Sequence, residues 1–124
     1  MIIKEINKKT HRFSFQADGK LMINDQCYIN SVWFSQSQVQ SWGPNDVNAI
    51  TPADFDTIFA QKPEILIIGS GTTFVPLPSE IQHHLAQQSI GFEQMSNKAA
   101  IRSHLILVDD CRHVITALIQ SHKS

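Results

Sequence analysis

A chain of 124 residues with 42% hydrophobic and 17% charged side chains, five Gly and five Pro has the composition of an ordinary one-domain globular protein. Disordered, collagen-like and disulfide-scaffold classes are excluded on that ground. Ten Lys and Arg against eleven Asp and Glu give a net charge of −1, which lacks the basic footprint of a dedicated nucleic-acid binder or a polybasic membrane-surface protein.

The near-neutral total conceals an uneven distribution. Residues 1–20 carry Lys4, Lys8, Lys9, Arg12 and Lys20 against Glu5 and Asp18, whereas residues 21–61 hold four Asp and no Lys or Arg. The basic start either meets an anionic partner or, in the preferred reading, is a solvated edge strand protected by lysines. Met1 to Ile6 has no following apolar run of a signal peptide, and the apolar stretch Ile65 to Ile68 is only four residues long, against the ~20 that cross a bilayer. The expectation is a cytoplasmic protein with no membrane insertion.

In chain order, Arg12 to Gln16 alternates, Asp18-Gly19 supplies a two-residue turn, and Leu21-Met22-Ile23 resumes an apolar run, which together predict a hairpin. Asp25-Gln26 reads as the next turn, and Cys27 to Phe34 as a third strand rich in β-branched and aromatic residues. Residues 35–42 are alternating but polar and fit either a loop or a surface strand, ended by Gly43-Pro44. Trp33, Phe34 and Trp42 lie in this stretch without Lys or Arg. They either cap the core, the preferred reading, or face a homodimer contact.

From residue 51 the period changes. Thr51-Pro52-Ala53-Asp54 places a capping hydroxyl, a proline and a carboxylate ahead of Phe55, Ile58 and Phe59, which predicts a helix over about 52–61, stopped by Pro63. Glu64 to Ile68 then reads as a strand buried on both faces, and residues 69–73 as a loop. A second helix opens at Pro78-Ser79-Glu80 and closes on Gly91 as its C-terminal glycine. Phe92 to Met95 returns as a strand, so 64–95 forms one βαβ unit. The segment 97–119 admits a helix or a strand pair. Helix is favoured, with Asn97 as N-cap, because no Gly or Pro interrupts the run that follows it.

No motif with chemistry attached is complete. Gly69-Ser70-Gly71 follows a strand, but Phe74 stands where a dinucleotide fingerprint needs its third glycine and the helix starts too late. It reads instead as a tight strand exit that needs glycine's φ freedom. No Gly-Lys pair offers a phosphate loop, and Ile68 and Thr72 occupy the glycine positions of a nucleophile elbow around Ser70. Adjacent His83 and His84 point ~100° apart on a helix, His104 and His113 are isolated, and no carboxylate recurs at ligand spacing. The histidines therefore read as solvated or core-edge side chains. Cys27 and Cys111, far apart and without a C-x-x-C partner, read as reduced, partly buried thiols. Arg102 sits in an apolar helical stretch and either meets solvent or pairs near the sheet edge.

The segments Pro63 to Gly71, Pro78-Ser79-Glu80, Gly91 to Met95 and Asn97 to Arg102, with Ile29-Asn30-Ser31 and Gly43-Pro44 upstream, resemble an uncharacterised family long catalogued as a domain of unknown function. Its members include mitochondrial respiratory complex I assembly factor 3 and the adipogenesis-associated domain-containing protein. Where the family pattern has an aromatic followed by Asn, His104-Leu105 stand here. The resemblance implies helix rather than strand at 97–108, no established catalytic activity, and similarity to bacterial stand-alone members.

The resemblance implies a compact three-layer fold with a mixed central sheet and additional N-terminal β strands, so the fold expected is α/β, a single such domain over 1–124 with about three helices. A β-rich half over 1–50 and a βα half over 51–124 share one core. The leading functional reading is a non-enzymatic binding or assembly module acting through a protein partner, which the resemblance links to respiratory-complex assembly. The competing reading is a small anionic ligand binder or enzyme using Gly69, Ser70, Gly71, Thr72, Thr73, the helix start at Ser79, and Arg102 as anion contact. Neither a cofactor nor a metal is expected, and nucleic acid ranks last.

Overall fold

Among the described residues, strand pairing divides the β structure into two sheets. The computed structural model describes residues 11–18 and 20–120. Strands β1 (Phe13–Phe15), β2 (Leu21–Ile23) and β3 (Gln26–Tyr28) form an antiparallel three-stranded sheet. The second sheet has five strands in the order β5-β4-β8-β6-β7, built from β4 (Val32–Phe34), β5 (Val39–Ser41), β6 (Ile65–Gly69), β7 (Gly91–Met95) and β8 (Val114–Leu118). β6 pairs in parallel with both β7 and β8, while β4 pairs antiparallel with β8 and β5, so the sheet is mixed, as expected.

Side-chain alternation along these strands creates two cores. Trp33, Leu66, Ile68, Ile115 and Ala117 face one way, onto α1 (Asp56–Ala60) and α2 (Ser79–Ala86) through Ile58, Ile81 and Leu85. Val32, Phe34, Ile67, Val114 and Leu118 face the other way, onto α3 (Asn97–Asp109) and onto Leu21 and Ile23 of the small sheet. Three layers result: α1 and α2, the five-stranded sheet, and a composite layer of α3 beside β1–β3. Both cores draw residues from either side of position 50.

Several local expectations needed correction. The stretch Cys27 to Phe34 is two strands in different sheets. The corner between them is held by the end of β8, where Gln120 Nε2 donates to the carbonyls of Tyr28 (3.1 Å) and Asn30 (2.8 Å) and Gln120 N donates to Ser31 Oγ (2.8 Å). The β2–β3 turn lies one residue earlier than expected, at Asn24 and Asp25, with φ of 52° and 71°. These polar residues tolerate the left-handed conformation of a two-residue hairpin. Of the preceding turn, Gly19 lies outside the described residues, as do Lys4, Lys8 and Lys9 of the basic start. The 35–42 segment contains the edge strand β5, antiparallel to β4.

Helix α1 continues from a 3-10 turn at Pro52–Phe55, whose Asp54 carboxylate accepts from Thr51 N at 2.7 Å. Gly91 does not close α2; it is the first residue of β7, and α2 ends at Ala86. Ser96, not Asn97, is the N-cap of α3, with its Oγ accepting from Ala99 N. The helix expected over 97–119 stops at Asp109, and Val114–Leu118 becomes the strand between β4 and β6. Its five residues are all buried, so full burial rather than alternation governs its pattern.

Trp33, Phe34 and Trp42 are buried in the chain's own cores, and Trp42 Nε1 donates to Asp54 O at 2.8 Å. Cys27 and Cys111, in contrast, lie at the surface rather than partly buried. His104 is a fully enclosed core residue, not a solvated or core-edge one, and its Nδ1 lies 2.9 Å from Thr116 Oγ1.

Lys62 follows the C-cap of α1 with φ 54°, its N–H bonded to Phe59 O at 2.9 Å, and Pro63 comes next. This is the position where helices favour glycine. Lys62→Gly is expected to stabilise the fold by roughly 0.5–1 kcal/mol, because relief of the left-handed cost exceeds glycine's added chain entropy. The urea midpoint should rise at unchanged slope.

Candidate functional site

β6, β7 and β8 run in parallel, so their carboxyl ends, Gly69, Met95 and Leu118, lie together at one edge of the sheet. The connection from β6 leaves toward α2 on one face, and that from β7 leaves toward α3 on the other. Neighbouring connections that part in this way open a crevice beyond the strand ends, the usual ligand position in open α/β sheets. A cleft of about 640 Å³ occupies that place. Ser70 to Thr73 and Val75 line it from the β6 side, Asn97 and Lys98 from the start of α3, and Ile119 and Gln120 from the end of β8. The opposite wall comes from the N-terminal half, with Phe15, Lys20 and Tyr28 from the small sheet and Asn45 to Asn48 from the loop after β5.

One side chain organises the floor. Asn97, 7% exposed, accepts at Oδ1 from Gly71 N (3.0 Å) and donates from Nδ2 to Ile119 O (2.9 Å), while its own N–H donates to Gly71 O (2.8 Å). It thereby ties the exits of β6 and β8 to the first residue of α3. Ser70 stiffens the loop further: its Oγ donates to Thr73 O (3.0 Å) and accepts from Val75 N (2.8 Å). The two glycines serve different ends. A Cβ on Gly69 would run into Asn97 Oδ1 and come within 2.6 Å of Leu118 Cδ2, whereas Gly71 has open space and a φ of 123°. The first permits close approach, and the second permits the turn.

Of the residues singled out from sequence, Ser70, Gly71, Thr72 and Thr73 line the cleft. Gly69 is the last residue of β6, packed behind the loop against Asn97. Ser79 opens α2 and is exposed outside the cleft lining, and Arg102 is exposed farther along α3, also outside it. The cation that α3 does bring to the cleft is Lys98, whose Nζ sits 5.6 Å from the centroid of the Phe15 ring. Lys98 and Asn97 were detectable as the first residues of a helix directly after a parallel strand. Tyr28 and Asn45 carry no local signal and are brought there by tertiary packing.

The lining mixes charges, with Lys20 and Lys98 against Asp18 and Asp46, and Lys20 Nζ lies 3.5 Å from Asp18. Asp18 is held below the usual carboxylate range chiefly by the backbone N–H of Lys20. Hydroxyls and amides supply most of the remaining polar groups, an array suited to hydrogen bonding. Among the described residues, no group of three or more His, Cys, Asp or Glu is placed to hold a metal ion.

A three-layer α/β domain with a switch-point cleft walled by its own small antiparallel sheet is the class these features define. Within that class, residues 15–119 match the family described as "Protein of unknown function (DUF498/DUF598)", and the chain belongs to it. It is 27% identical over 109 residues to the "13 kDa major membrane protein" of Francisella tularensis subsp. holarctica (strain LVS), covering 86% of this chain and 89% of that one. A Xanthomonas campestris protein solved by NMR superposes with a TM-score of 0.81 at 21% identity, over 100% of this chain and 98% of the other. A Bordetella pertussis protein, described as a Mth938-like domain, gives 0.79 at 20% identity, over 100% and 94%. These structures share the fold. Among the described residues of this chain, no helix is long and apolar enough to cross a membrane.

Removing the Asn97 side chain strands the Gly71 N–H and the Ile119 carbonyl. Asn97→Ala is therefore expected to cost roughly 2–4 kcal/mol. Gly69→Ala, which crowds Leu118 and Asn97, should cost roughly 1–3 kcal/mol. Urea denaturation of both variants checks the pair; a loss under 0.5 kcal/mol in each would remove Asn97 from its organising role.

Proposed function

We propose that this protein is a non-enzymatic binding module that receives a segment of a protein partner in the switch-point cleft. The observation that carries this reading is the placement of exposed apolar side chains. Four large hydrophobics are exposed among the described residues. Ile29 (42%) and Val75 (41%) line the cleft, and Phe74 (54%) stands beside Val75 in the same loop. Apolar side chains gathered at a cleft mouth, with hydroxyls and amides inside, suit a peptide that offers side chains to the lip and main-chain groups to the interior. The assembly role in respiration implied by the family resemblance is one specific form of this reading and rests on that resemblance. The name of the Francisella relative, a major membrane protein, is compatible with a partner held at a membrane.

Tagged full-length protein is expected to recover a stoichiometric partner from lysate, and the double variant Phe74→Ser, Val75→Ser to lose it while keeping its circular dichroism and urea midpoint. Equal recovery by the variant, or no stoichiometric partner under several extraction conditions, would sink the proposal.

A second reading is favoured by Thr72, Thr73 and Lys98 on one side of the cleft: a small anionic molecule held by their hydroxyls and ammonium. A thermal-shift series with inorganic phosphate, nucleotides and organic acids should then raise the melting temperature, and Lys98→Ala should abolish the rise. No shift with any of them ends that reading.

A further inference from the structure

The wall of the cleft formed by β1–β3 is fastened to the rest of the molecule by a stack of rings. Phe34 of β4 and His104 of α3 meet edge to face, with centroids 4.7 Å apart and planes at 84°. Phe13 of β1 packs on both, at 4.9 Å from Phe34 and 6.2 Å from His104. His11, just before β1, closes the stack on Phe13 and Phe34 at 6.0 and 6.4 Å. Its Nε2 lies 2.8 Å from Ser35 O and its Nδ1 lies 2.9 Å from Asn24 Nδ2. This one cluster therefore joins β1 and the β2–β3 turn to β4 and α3, and through the contact of His104 with Thr116 to β8.

Resting on the reading of the cleft as a binding site, we propose that this stack is a pH-sensitive latch: a proton on His104 loosens the docking of β1–β3 and so opens the wall that carries Phe15, Lys20 and Tyr28. The surroundings of His104 offer a charge little compensation. Its ring is 2% exposed among Phe13, Phe34 and one hydroxyl. Strands β1, β2, β4, β6 and β8 carry no ionisable side chain, and Lys98, Arg102 and Asp109 of α3 are exposed. Among the described residues, His11 is the titratable group that acts on it, in the direction that disfavours a proton on His104.

Burial, with His11 as the smaller cause, lowers the His104 pKa from 6.5 to about 4. An opening that exposes the ring returns it toward its ordinary value, so the open state binds more protons. Opening is therefore favoured as pH falls, by roughly tenfold per pH unit between about 6.5 and about 4, and is pH-independent above that window. The closed wall is the state of neutral pH.

Amide hydrogen exchange on the full chain, corrected for intrinsic rates and followed from pH 7.5 to 5, tests the latch. Amides of β1–β3 are expected to exchange through a smaller opening than those of β6 and β8, with an opening constant that rises about tenfold per pH unit below 6.5. In His104→Gln, which keeps a partner for Thr116 but does not titrate, that slope should vanish. The paired apolar variant His104→Phe, Thr116→Val serves if the glutamine variant does not fold. A single opening shared by both sheets, a flat wild-type profile, or a slope that survives in the variant would each overturn the proposal. The protein is measured alone, so failure here leaves the outcome of partner capture untouched, and loss of capture leaves the latch standing.

Discussion

Three parallel strands must end together at one edge of the sheet, and their exposed ends must be tied without filling the space beyond them. Asn97 meets that constraint with both ends of one amide, gripping the Gly71 turn and the Ile119 carbonyl while its backbone N–H returns to Gly71. A buried amide satisfied on both sides fixes geometry more tightly than apolar packing does, because every alternative arrangement leaves a polar group unpaired. Gly69 is the complement of this clamp, since a side chain there would occupy the space that Asn97 uses. The loop that leaves β6 is consequently stiff at its base and exposed from Thr72 to Pro76.

The cleft depends on a second constraint, the docking of a sheet of three three-residue strands that covers its apolar face by packing on the rest of the molecule. It buries Leu21 and Ile23 against α3 and the main sheet, in the layer where a second helix would otherwise pack. One consequence is that the cleft has walls of different kinds. The α3 side is built on a helix and the central strands, and the N-terminal side on short strands whose attachment includes two histidines. Short strands joined to the main sheet through a few ring contacts carry fewer packing interactions than the helix and central strands opposite them.

Much of the βα half was legible in the chain. The continuous apolar run at Ile65 to Ile68, the Thr51-Pro52-Asp54 cap ahead of α1, Pro78 ahead of α2, and the unbroken run after Asn97 each located an element, because local periodicity and helix-start residues control those segments. Legibility failed where full burial erased periodicity, as in Val114–Leu118, and where a distant residue set the break, as Gln120 does between β3 and β4. Gly91 misled for a related reason: a glycine after a helix also fits the start of an edge strand.

By itself, then, the sequence determined the α/β class and the glycine-bearing strand exit, features specified by residues within a few positions of one another, whereas the mixed character of the sheet rests on the pairing of β4 with β8 from opposite halves of the chain. Only the tertiary structure decided that Lys98 rather than Arg102 faces the cleft, that His104 is enclosed by Phe13 and Phe34, and that Tyr28 and Asn45 meet the Gly71 loop. The reason is physical. A helix rotates by about 100° per residue, so neighbours on α3 face different surroundings, and strand pairing across the whole chain chooses which side meets the cleft.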